Sequence, residues 1–187
     1  DVLANLSMTS GLGYSELQKP LEALSIVFPN PGGAGFSLGK AGLNNVVSYN
    51  VQQWPPQRNK FRYKPSHKER MFEPGTIGKY SSKILNVIES VQSAEGVILV
   101  YAQFIDGGVI PIALALESIG FKKAQGPSLF ATPQSDPFDL ATMTNTKSPV
   151  NQASYVLITG DKSISEDNSR AVALASSPNN VNGEKVK

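Results

Sequence analysis

Six residues follow two apolar runs of the sequence and have side chains or backbone suited to holding phosphate. They are Gln103, Phe104, Thr159, Gly160, Asp161 and Ser165. The amide of Gln103 and the hydroxyls of Thr159 and Ser165 can donate hydrogen bonds, and the backbone at Gly160 can be approached closely. Donors of this kind position a phosphate backbone without reading base sequence.

A second candidate is a stretch in which cations alternate with aromatic residues. The basic residues are Arg58, Lys60, Arg62, Lys64, Lys68 and Arg70, and Glu69 is the one acid among them. Trp54, Phe61 and Tyr63 lie close by in sequence. Cations that meet phosphates and rings that stack on bases are typical of single-strand binding. A solvated basic loop explains the same pattern equally well, and both interpretations stay open here.

The other segments considered for catalysis or metal binding lack the residue types or the spacing that such sites require. The segment 32–40 is rich in glycine and ends in Gly39-Lys40, but Ala34 and Ala41 occupy positions where a phosphate loop needs Gly and Ser or Thr. The one histidine, His67, has no partner nearby in sequence for a metal site or a triad, so we expect a solvated loop residue. The chain contains no cysteine. We therefore expect no metal site.

Elements that could position these groups are predicted from residue 78 onwards. Apolar spacing predicts a helix over 80–93, and a second over 109–119 that ends at Gly120. Two β-branched runs, Val97–Tyr101 and Tyr155–Thr159, lack polar alternation and predict parallel strands buried on both faces. Ser165 is the expected N-cap of a third helix that runs to Ala175 and stops before Pro178.

The rest of the chain is expected to be rich in loops. Residues 1–77 are punctuated by Gly, Pro and Asn, with one short strand predicted over 24–28 and a turn at 30–33. Residues 122–152 form a long excursion, of a kind that is usually functional or mobile. The predicted fold class is thus α/β, a parallel sheet with flanking helices over 78–187, preceded by a loop-rich segment over 1–77.

The composition narrows the class of protein only a little. The chain has 187 residues, of which 40% are hydrophobic and 17% charged, and its net charge of +2 names no partner. No apolar run reaches the length of about 20 residues that a membrane helix needs, so no membrane partner is expected. Because two strands make a poor sheet and the first residue is Asp1, we expect a piece cut from a longer chain.

Taken in order, these segments resemble the helicases of nucleocytoplasmic large DNA viruses, and they are similar to poxvirus early-transcription ATPases within superfamily 2. The resemblance is carried by residues 78–84, 97–106, 114–121, 155–162 and 180–187. It implies a RecA-like second motor domain, here incomplete, in which Gln103-Phe104 belongs to helicase motif IV. Thr159-Gly160-Asp161 would then lie in the next loop that faces nucleic acid.

The resemblance also implies the partners and the chemistry of a longer parent protein. That parent would be an ATP-dependent helicase or translocase that uses ATP and Mg²⁺ and acts on DNA or RNA in viral transcription or genome handling. Its partners would be nucleic acid, the first motor domain, and viral transcription or virion proteins, in the virion and the cytoplasmic viral factory. The residues that hold ATP are missing here, so this chain alone is expected to bind no ATP or Mg²⁺ and to be inactive.

Two other functions remain open at this point. The chain could be a non-catalytic binding or virion assembly module with a motor-like fold. It could also be a small α/β enzyme whose site lies in the 122–152 loop. A phosphate loop upstream and an arginine finger downstream in the parent reading frame would favour the motor.

Overall fold

The structure, a computed structural model, describes the backbone of residues 14–52 and 57–187 and the side chains of 17–49 and 60–187. The helices are α1 (Tyr14–Ser25), α2 (Gly39–Val46), α3 (Pro74–Ile77), α4 (Ser82–Ser93), α5 (Ile110–Ser118) and α6 (Asn168–Ala175). A π-helical turn at Ile105–Val109 runs into α5, and a 3₁₀ turn occupies Val181–Gly183. The strands are β1 (Phe28–Pro29), β2 (Phe36–Ser37), β3 (Val47–Gln52), β4 (Gln57–Tyr63), β5 (Lys122–Lys123), β6 (Phe138–Asp139), β7 (Thr144–Asn145) and β8 (Ser154–Tyr155).

The strands form four separate two-stranded ladders among the described residues. The pairs β1–β2, β3–β4 and β6–β7 are antiparallel, and β5–β8 is parallel. The chain thus mixes helices with small sheets, which is compatible with the predicted α/β class. The described residues do not form one larger parallel sheet.

The predicted buried strand at Val97–Tyr101 is wrong. The segment has no strand partner among the described residues, and its Leu99 and Tyr101 side chains are 91% and 87% exposed. Its described backbone bonding is a single hydrogen bond from Ile98 N–H to Lys187 O, at 3.2 Å. A β-branched composition favours an extended backbone, but a strand also needs a hydrogen-bonded neighbour along its length.

The second predicted strand is only partly formed. Tyr155, the first residue of that run, belongs to β8, which pairs in parallel register with β5. The chain remains outside any described ladder from Val156 to Thr159. The sequence therefore placed a parallel strand near this position but overestimated its length.

Helices α4 and α5 confirm the two predicted helical segments. Ile84, Ile88 and Val91 of α4 are buried, as the apolar spacing predicts. Helix α5 is apolar on almost all sides, and every one of its residues except Ile112 is buried, which is typical of a helix inside a core. Gly120 follows α5 with φ +94°, the left-handed conformation that ends many helices.

Ser81 caps α4 and also ties it to α1. Its Oγ accepts a hydrogen bond from Ile84 N–H at 3.0 Å and donates one to Ser25 O. We expect Ser81→Ala to lower the free energy of unfolding by about 1–2 kcal/mol, because the variant makes neither bond at a buried position. Urea denaturation checks this value. Ser82→Ala, a neighbouring exposed serine, is the control and should stay within about 0.5 kcal/mol of the wild type.

The described part of the segment before residue 78 contains regular structure that its composition does not predict. Only the turn after Asn30 is confirmed, where Gly33 N–H donates to Asn30 O at 3.0 Å between β1 and β2. Helix α2 forms despite two glycines and two asparagines, because it packs closely on this ribbon. A Cβ on Gly42 would lie 2.5 Å from the Phe28 ring and 2.7 Å from Ser37 O. Residues 1–13 lie outside the described part.

The segment 122–152 is organised by two carboxylates. Asp139 accepts hydrogen bonds from the backbone N–H groups of Ala141, Val150 and Asn151 at 3.0–3.1 Å. Glu117, on α5, accepts bonds from the N–H groups of Leu129 and Phe130. Asp139 thus ties the predicted excursion to itself, and Glu117 fastens it to α5.

One hydrophobic cluster joins the residues on both sides of position 78. It includes Phe28, Leu43 and Phe72 from the first part of the chain and Ile88 and Leu114 from the second. The packing of α5 against α3, α4 and the π-helical turn brings these parts together. The two candidate binding segments are mounted on this shared core.

Candidate nucleic-acid interface

The turn at Thr159–Asp161 is held by its own side chains. Thr159 Oγ1 accepts a hydrogen bond from Asp161 N–H at 3.1 Å, and the Asp161 carboxylate accepts bonds from Ser163 N–H and Oγ at 2.8 and 2.6 Å. Gly160 is exposed, and no described atom lies within 4 Å of where its Cβ would be. The backbone at Gly160 is therefore open to a ligand.

Ser165 has a different position from the one the sequence predicts. Its side chain is 2% exposed, and its hydroxyl donates to Leu157 O at 2.6 Å. The N-cap of α6 is Asp167, whose carboxylate accepts from Arg170 N–H at 2.9 Å, so the predicted cap at Ser165 is wrong. Asp167 meets the preference for an N-cap equally well, and composition alone did not separate the two. Ser165 thus supports the turn from inside the protein.

Gln103 and Phe104 lie just before the π-helical turn. Gln103 is exposed, whereas Phe104 is partly buried and its backbone carbonyl accepts from Val109 N–H at 2.9 Å. The turn is anchored to α1, because Ser25 Oγ donates to Gly107 O at 2.7 Å. This hydrogen bond holds the π-helical turn, which follows Gln103 and Phe104, in place against α1.

Electrostatics link this turn to the one at Thr159–Asp161. Burial raises the pKa of Asp106, nearby Lys40 lowers it, and the charge of Asp161 raises it further. The Asp106 and Asp161 carboxylates are therefore close enough for their charges to interact. Lys40, at the start of α2, supplies a cation there.

The glycine-rich segment 32–40 does not form a phosphate loop. It consists of the β1–β2 turn and the first residues of α2, and the strand that precedes it has only two residues. This agrees with the sequence argument against a phosphate loop. Lys40 remains relevant through its proximity to Asp106 rather than through a nucleotide motif.

Lys60 and Arg62 of the basic stretch lie on β4, and Lys64, Lys68 and Arg70 follow it. Because neighbouring residues of a strand point to opposite faces, Lys60 and Arg62 share one face of β4 and Phe61 and Tyr63 share the other. Lys60 Nζ donates to Ser128 O at 2.9 Å, so this cation is partly used within the protein. Arg62 is exposed and Lys64 is partly exposed. The side chain of Arg58 lies outside the described residues.

The aromatic residues between the cations belong to the core. Phe61 is 2% exposed, and Tyr63 Oη accepts a hydrogen bond from Phe72 N–H at 3.1 Å. Burial raises the pKa of Tyr63 to about 12. Phe61 is therefore not available for base stacking, and Tyr63 packs against the core while it stays partly exposed, because the alternation that exposes the cations turns these rings inward. Trp54 lies outside the described residues.

Two ion pairs and a partly buried histidine complete this region. Arg70 pairs with Glu73 at 3.3 Å, and Lys79 pairs with Glu69 at 3.2 Å. His67, predicted to be solvated, is partly buried, and burial lowers its pKa. Of the described cations of the basic stretch, Arg62 and Lys68 are exposed and Lys64 is partly exposed, so these three can meet an external anion, and Arg62 and Lys64 lie beside each other at the end of β4.

The sequence argument missed Glu117, a buried carboxylate whose hydrogen-bond partners belong to the same chain. It is 5% exposed, and besides the N–H groups of Leu129 and Phe130 it accepts a bond from Tyr155 Oη at 2.6 Å. Burial raises its pKa, which the hydrogen bonds and nearby Lys60 only partly counteract. A lone acid in the apolar helix α5 was the available signal. These partners give Glu117 a structural role.

The described residues contain no cluster of three or more His, Asp or Glu side chains that could hold a metal ion. None of the helices in the described part has the length and apolar character that crossing a membrane requires. Comparisons with protein-family models, curated proteins and solved structures found no match for this chain.

Proposed function

We propose that this chain is the nucleic-acid-gripping part of a superfamily 2 helicase or translocase motor, with a RecA-like second motor domain that is incomplete here. The observation that carries the proposal is that Gly160, in the turn held by Thr159 and Asp161, presents an exposed backbone that a ligand can approach. The Asp106 and Asp161 carboxylates are also close enough for their charges to interact. The chain contains one parallel strand pair, β5–β8, just before the turn that includes Gly160. Ligands of open α/β sheets bind where strands end. The resemblance assigns this end to nucleic acid.

The grip is formed by two surfaces with different roles. The turn surface comprises Gln103, Thr159 and Gly160 and offers polar side chains and an open backbone at Gly160, while the Thr159 hydroxyl donates to Asp161 O at 3.2 Å. The hairpin surface comprises Arg62 and Lys64 and offers charge. Asp106 and Asp161 place negative charge beside the turn surface, where Lys40 is the nearby cation, so the hairpin cations supply most of the attraction to phosphate.

ATP and Mg²⁺ are ligands of the longer parent motor and not of this chain alone. In this proposal the first motor domain holds them, and this chain contributes part of the interdomain cleft. DNA and RNA are both consistent with backbone-only binding. The viral setting, in transcription or genome handling within the virion and the viral factory, rests on the resemblance alone.

A second function is favoured by one specific observation. Leu99, Tyr101 and Ile158 are exposed along an apolar groove, and such surfaces are typical of protein docking. A binding or virion assembly module with a motor-like fold would use this surface and need no ATP chemistry.

The binding test is fluorescence anisotropy of a labelled single-stranded oligonucleotide across a salt series. We expect Arg62→Gln with Lys64→Gln to weaken binding and to reduce the salt slope by about 0.7 for each phosphate that the variant no longer neutralises. Lys83→Gln with Lys147→Gln removes the same charge from exposed positions elsewhere and serves as the control. Equally weakened binding in the two double variants would mean that binding follows net charge only, and would contradict the hairpin surface.

The turn surface is tested by Gln103→Ala in the same assay. We expect it to weaken binding by about threefold to tenfold with an unchanged salt slope, because a neutral hydrogen bond contributes about 1 kcal/mol and releases no counterion. If Gln103→Ala binds as tightly as the wild type, the motif IV assignment loses its functional support.

Turnover of ATP is expected to be absent from the purified chain, with or without nucleic acid, because the sequence has no phosphate loop. A coupled phosphate-release assay measures this. Turnover that co-purifies with the chain through two different columns would contradict the assignment to a second motor domain.

A further inference from the structure

The strand that carries the hairpin surface, β4, has a neighbour on each of its edges. On one edge it pairs with β3. On the other edge Phe61 N–H donates to Leu129 O at 2.8 Å, and Ala131 N–H donates to Phe61 O at 3.0 Å. The 128–131 segment thus lies beside β4 as a short parallel neighbour, centred on the bridge between Phe61 and Phe130.

Side chains strengthen the contact between β4 and the 128–131 segment. Lys60 Nζ donates to Ser128 O at 2.9 Å, and the ring centroids of Tyr63 and Phe130 are 5.4 Å apart. These contacts lie on both sides of Phe61, within two residues of it along β4. The 128–131 segment therefore orders the part of β4 that leads into the hairpin surface.

The carboxylate of Glu117, on α5, binds the same segment. Oε1 accepts a hydrogen bond from Leu129 N–H at 2.6 Å, and Oε2 accepts one from Phe130 N–H at 2.7 Å. Oε1 also accepts from Tyr155 Oη at 2.6 Å, on β8. The 128–131 segment is therefore bonded to α5 and to β4 at once, and connects the core helix with the hairpin.

We propose that Glu117 is a positioning residue for the hairpin surface. By binding the 128–131 segment, its carboxylate holds the edge of β4 in the place from which Arg62 and Lys64 meet nucleic acid. The role of these two cations is taken from the proposed function, on which this inference rests. Glu117 is itself only 5% exposed, so it acts through the segment and not by touching the ligand.

The physical reason is the cost of unpaired backbone groups. A buried N–H without an acceptor is unfavourable, so a chain that loses the carboxylate moves until the N–H groups of Leu129 and Phe130 reach water or another acceptor. The same movement breaks the bonds from Phe61 and Lys60, because these end on carbonyls of the 128–131 segment. The strand β4 then lacks a neighbour on one edge and opens more often.

The test compares two variants that each remove hydrogen bonding at the Glu117 carboxylate. Glu117→Gln has one acceptor oxygen, so in either orientation one of the two backbone N–H groups faces an amide NH₂. Tyr155→Phe removes the Oη bond and leaves both backbone bonds in place. We expect Glu117→Gln to speed hydrogen exchange at Phe61 N–H, relative to Ile88 N–H on α4, by about tenfold or more. Tyr155→Phe should leave that ratio within about threefold of the wild type.

The ratio to Ile88 separates positioning from a general loss of stability. A merely structural role for Glu117 would speed exchange at both amides by the same factor, because both would exchange through global unfolding. An equal change at Phe61 and Ile88 in Glu117→Gln would therefore overturn the proposal. An equal change of the ratio in the two variants would overturn it as well.

A measurement on the wild type does not depend on how either variant folds. The N–H groups of Leu129, Phe130, Phe61 and Ala131 should open as one unit, with protection factors that agree within about threefold and the same dependence on dilute urea. Free exchange at Leu129 and Phe130 while Phe61 and Ala131 stay protected would show that the carboxylate does not hold β4, and would overturn the proposal.

Oligonucleotide anisotropy separates this inference from the proposed function. We expect Glu117→Gln to bind a labelled single strand about threefold to tenfold more weakly although the hairpin cations are intact, and Tyr155→Phe to bind it as the wild type does. No binding by the wild type would contradict the proposed function, and hydrogen exchange would still decide whether Glu117 holds β4. Faster exchange at Phe61 without weaker binding would overturn the positioning role.

Discussion

Replacing Gly120 with alanine is expected to lower the free energy of unfolding by about 3–5 kcal/mol, one of the largest single effects in this chain. Gly120 ends α5 with φ +94°, where a side chain is strained. A Cβ there would also lie 2.2 Å from Asp136 O and 2.6 Å from Phe138 N. These are backbone atoms, so relief requires moving the segment that carries β6.

Gly33→Ala is the matched control for Gly120→Ala. Gly33 has φ +81°, and no described atom lies within 4 Å of where its Cβ would be. It therefore carries the backbone strain without the clash, and we expect the free energy of unfolding to fall by about 1–2 kcal/mol. Urea denaturation of both variants measures the difference. Equal destabilisation would show that β6 does not pack on Gly120 as described.

Removing the Glu117 carboxylate is the second large effect. In Glu117→Ala, the N–H groups of Leu129 and Phe130 and the hydroxyl of Tyr155 no longer have their shared acceptor. Because these groups are buried, we expect the free energy of unfolding to fall by about 3–5 kcal/mol. The exposed Glu89→Ala on α4 is the control and should change it by less than about 0.5 kcal/mol. A small effect of Glu117→Ala would contradict the fastening of 122–152 to α5.

The same carboxylate makes stability depend on pH, with a sign set by burial. Burial raises the pKa of Glu117, so the folded protein holds this proton more tightly than the unfolded chain does. Its contribution is complete below the ordinary carboxyl pKa and is lost as pH rises through the raised pKa. Glu117→Gln cannot titrate. We therefore expect its stability relative to the wild type to improve as the pH rises from the ordinary carboxyl pKa through the raised pKa of Glu117.

Chemical denaturation of the wild type and Glu117→Gln across that pH range measures this dependence. The two proteins share every other titratable group, so their difference isolates Glu117. A difference that changes in the opposite direction would mean that the hydrogen bonds from Tyr155, Leu129 and Phe130 outweigh burial.

The parts of the fold that the sequence predicted are those decided locally. The spacing of Ile84, Ile88 and Val91 gives α4, and Gly120 marks the end of α5, because periodicity and helix capping act over a few residues. The turn after Asn30 follows from its own residues in the same way. None of these depends on which distant segment lies alongside.

The predictions from sequence are wrong where residues far apart in the chain determine the local structure. Val97–Tyr101 has the composition of a buried strand, but a strand needs a neighbour that composition cannot supply. Helix α2 contains poor helix formers and exists because Gly42 lets it pack against Phe28 and Ser37. The burial of Phe61 depends likewise on residues far along the chain, including the bridge to Phe130.

The candidate site stays a prediction. The sequence argument places the Gln103 and Thr159 turns at one edge of a sheet, and the structure shows only that Asp106 and Asp161, which neighbour these residues, are close enough for their charges to interact. The sequence offered no means of seeing that the Ser165 hydroxyl is bound internally or that Tyr63 faces the core. Such roles depend on burial, and burial cannot be inferred from the residue type alone.

The most direct test of nucleic-acid binding maps where an oligonucleotide touches the chain. Amide chemical shifts of ¹⁵N-labelled protein are recorded during titration with a short single strand at low salt. The account predicts that perturbations cluster at Arg62 and Lys64 and at the turns around Gln103 and Gly160, while α4 and α6 remain unchanged. Saturable binding with perturbations only outside these two surfaces, or no perturbation at any oligonucleotide concentration, would contradict it.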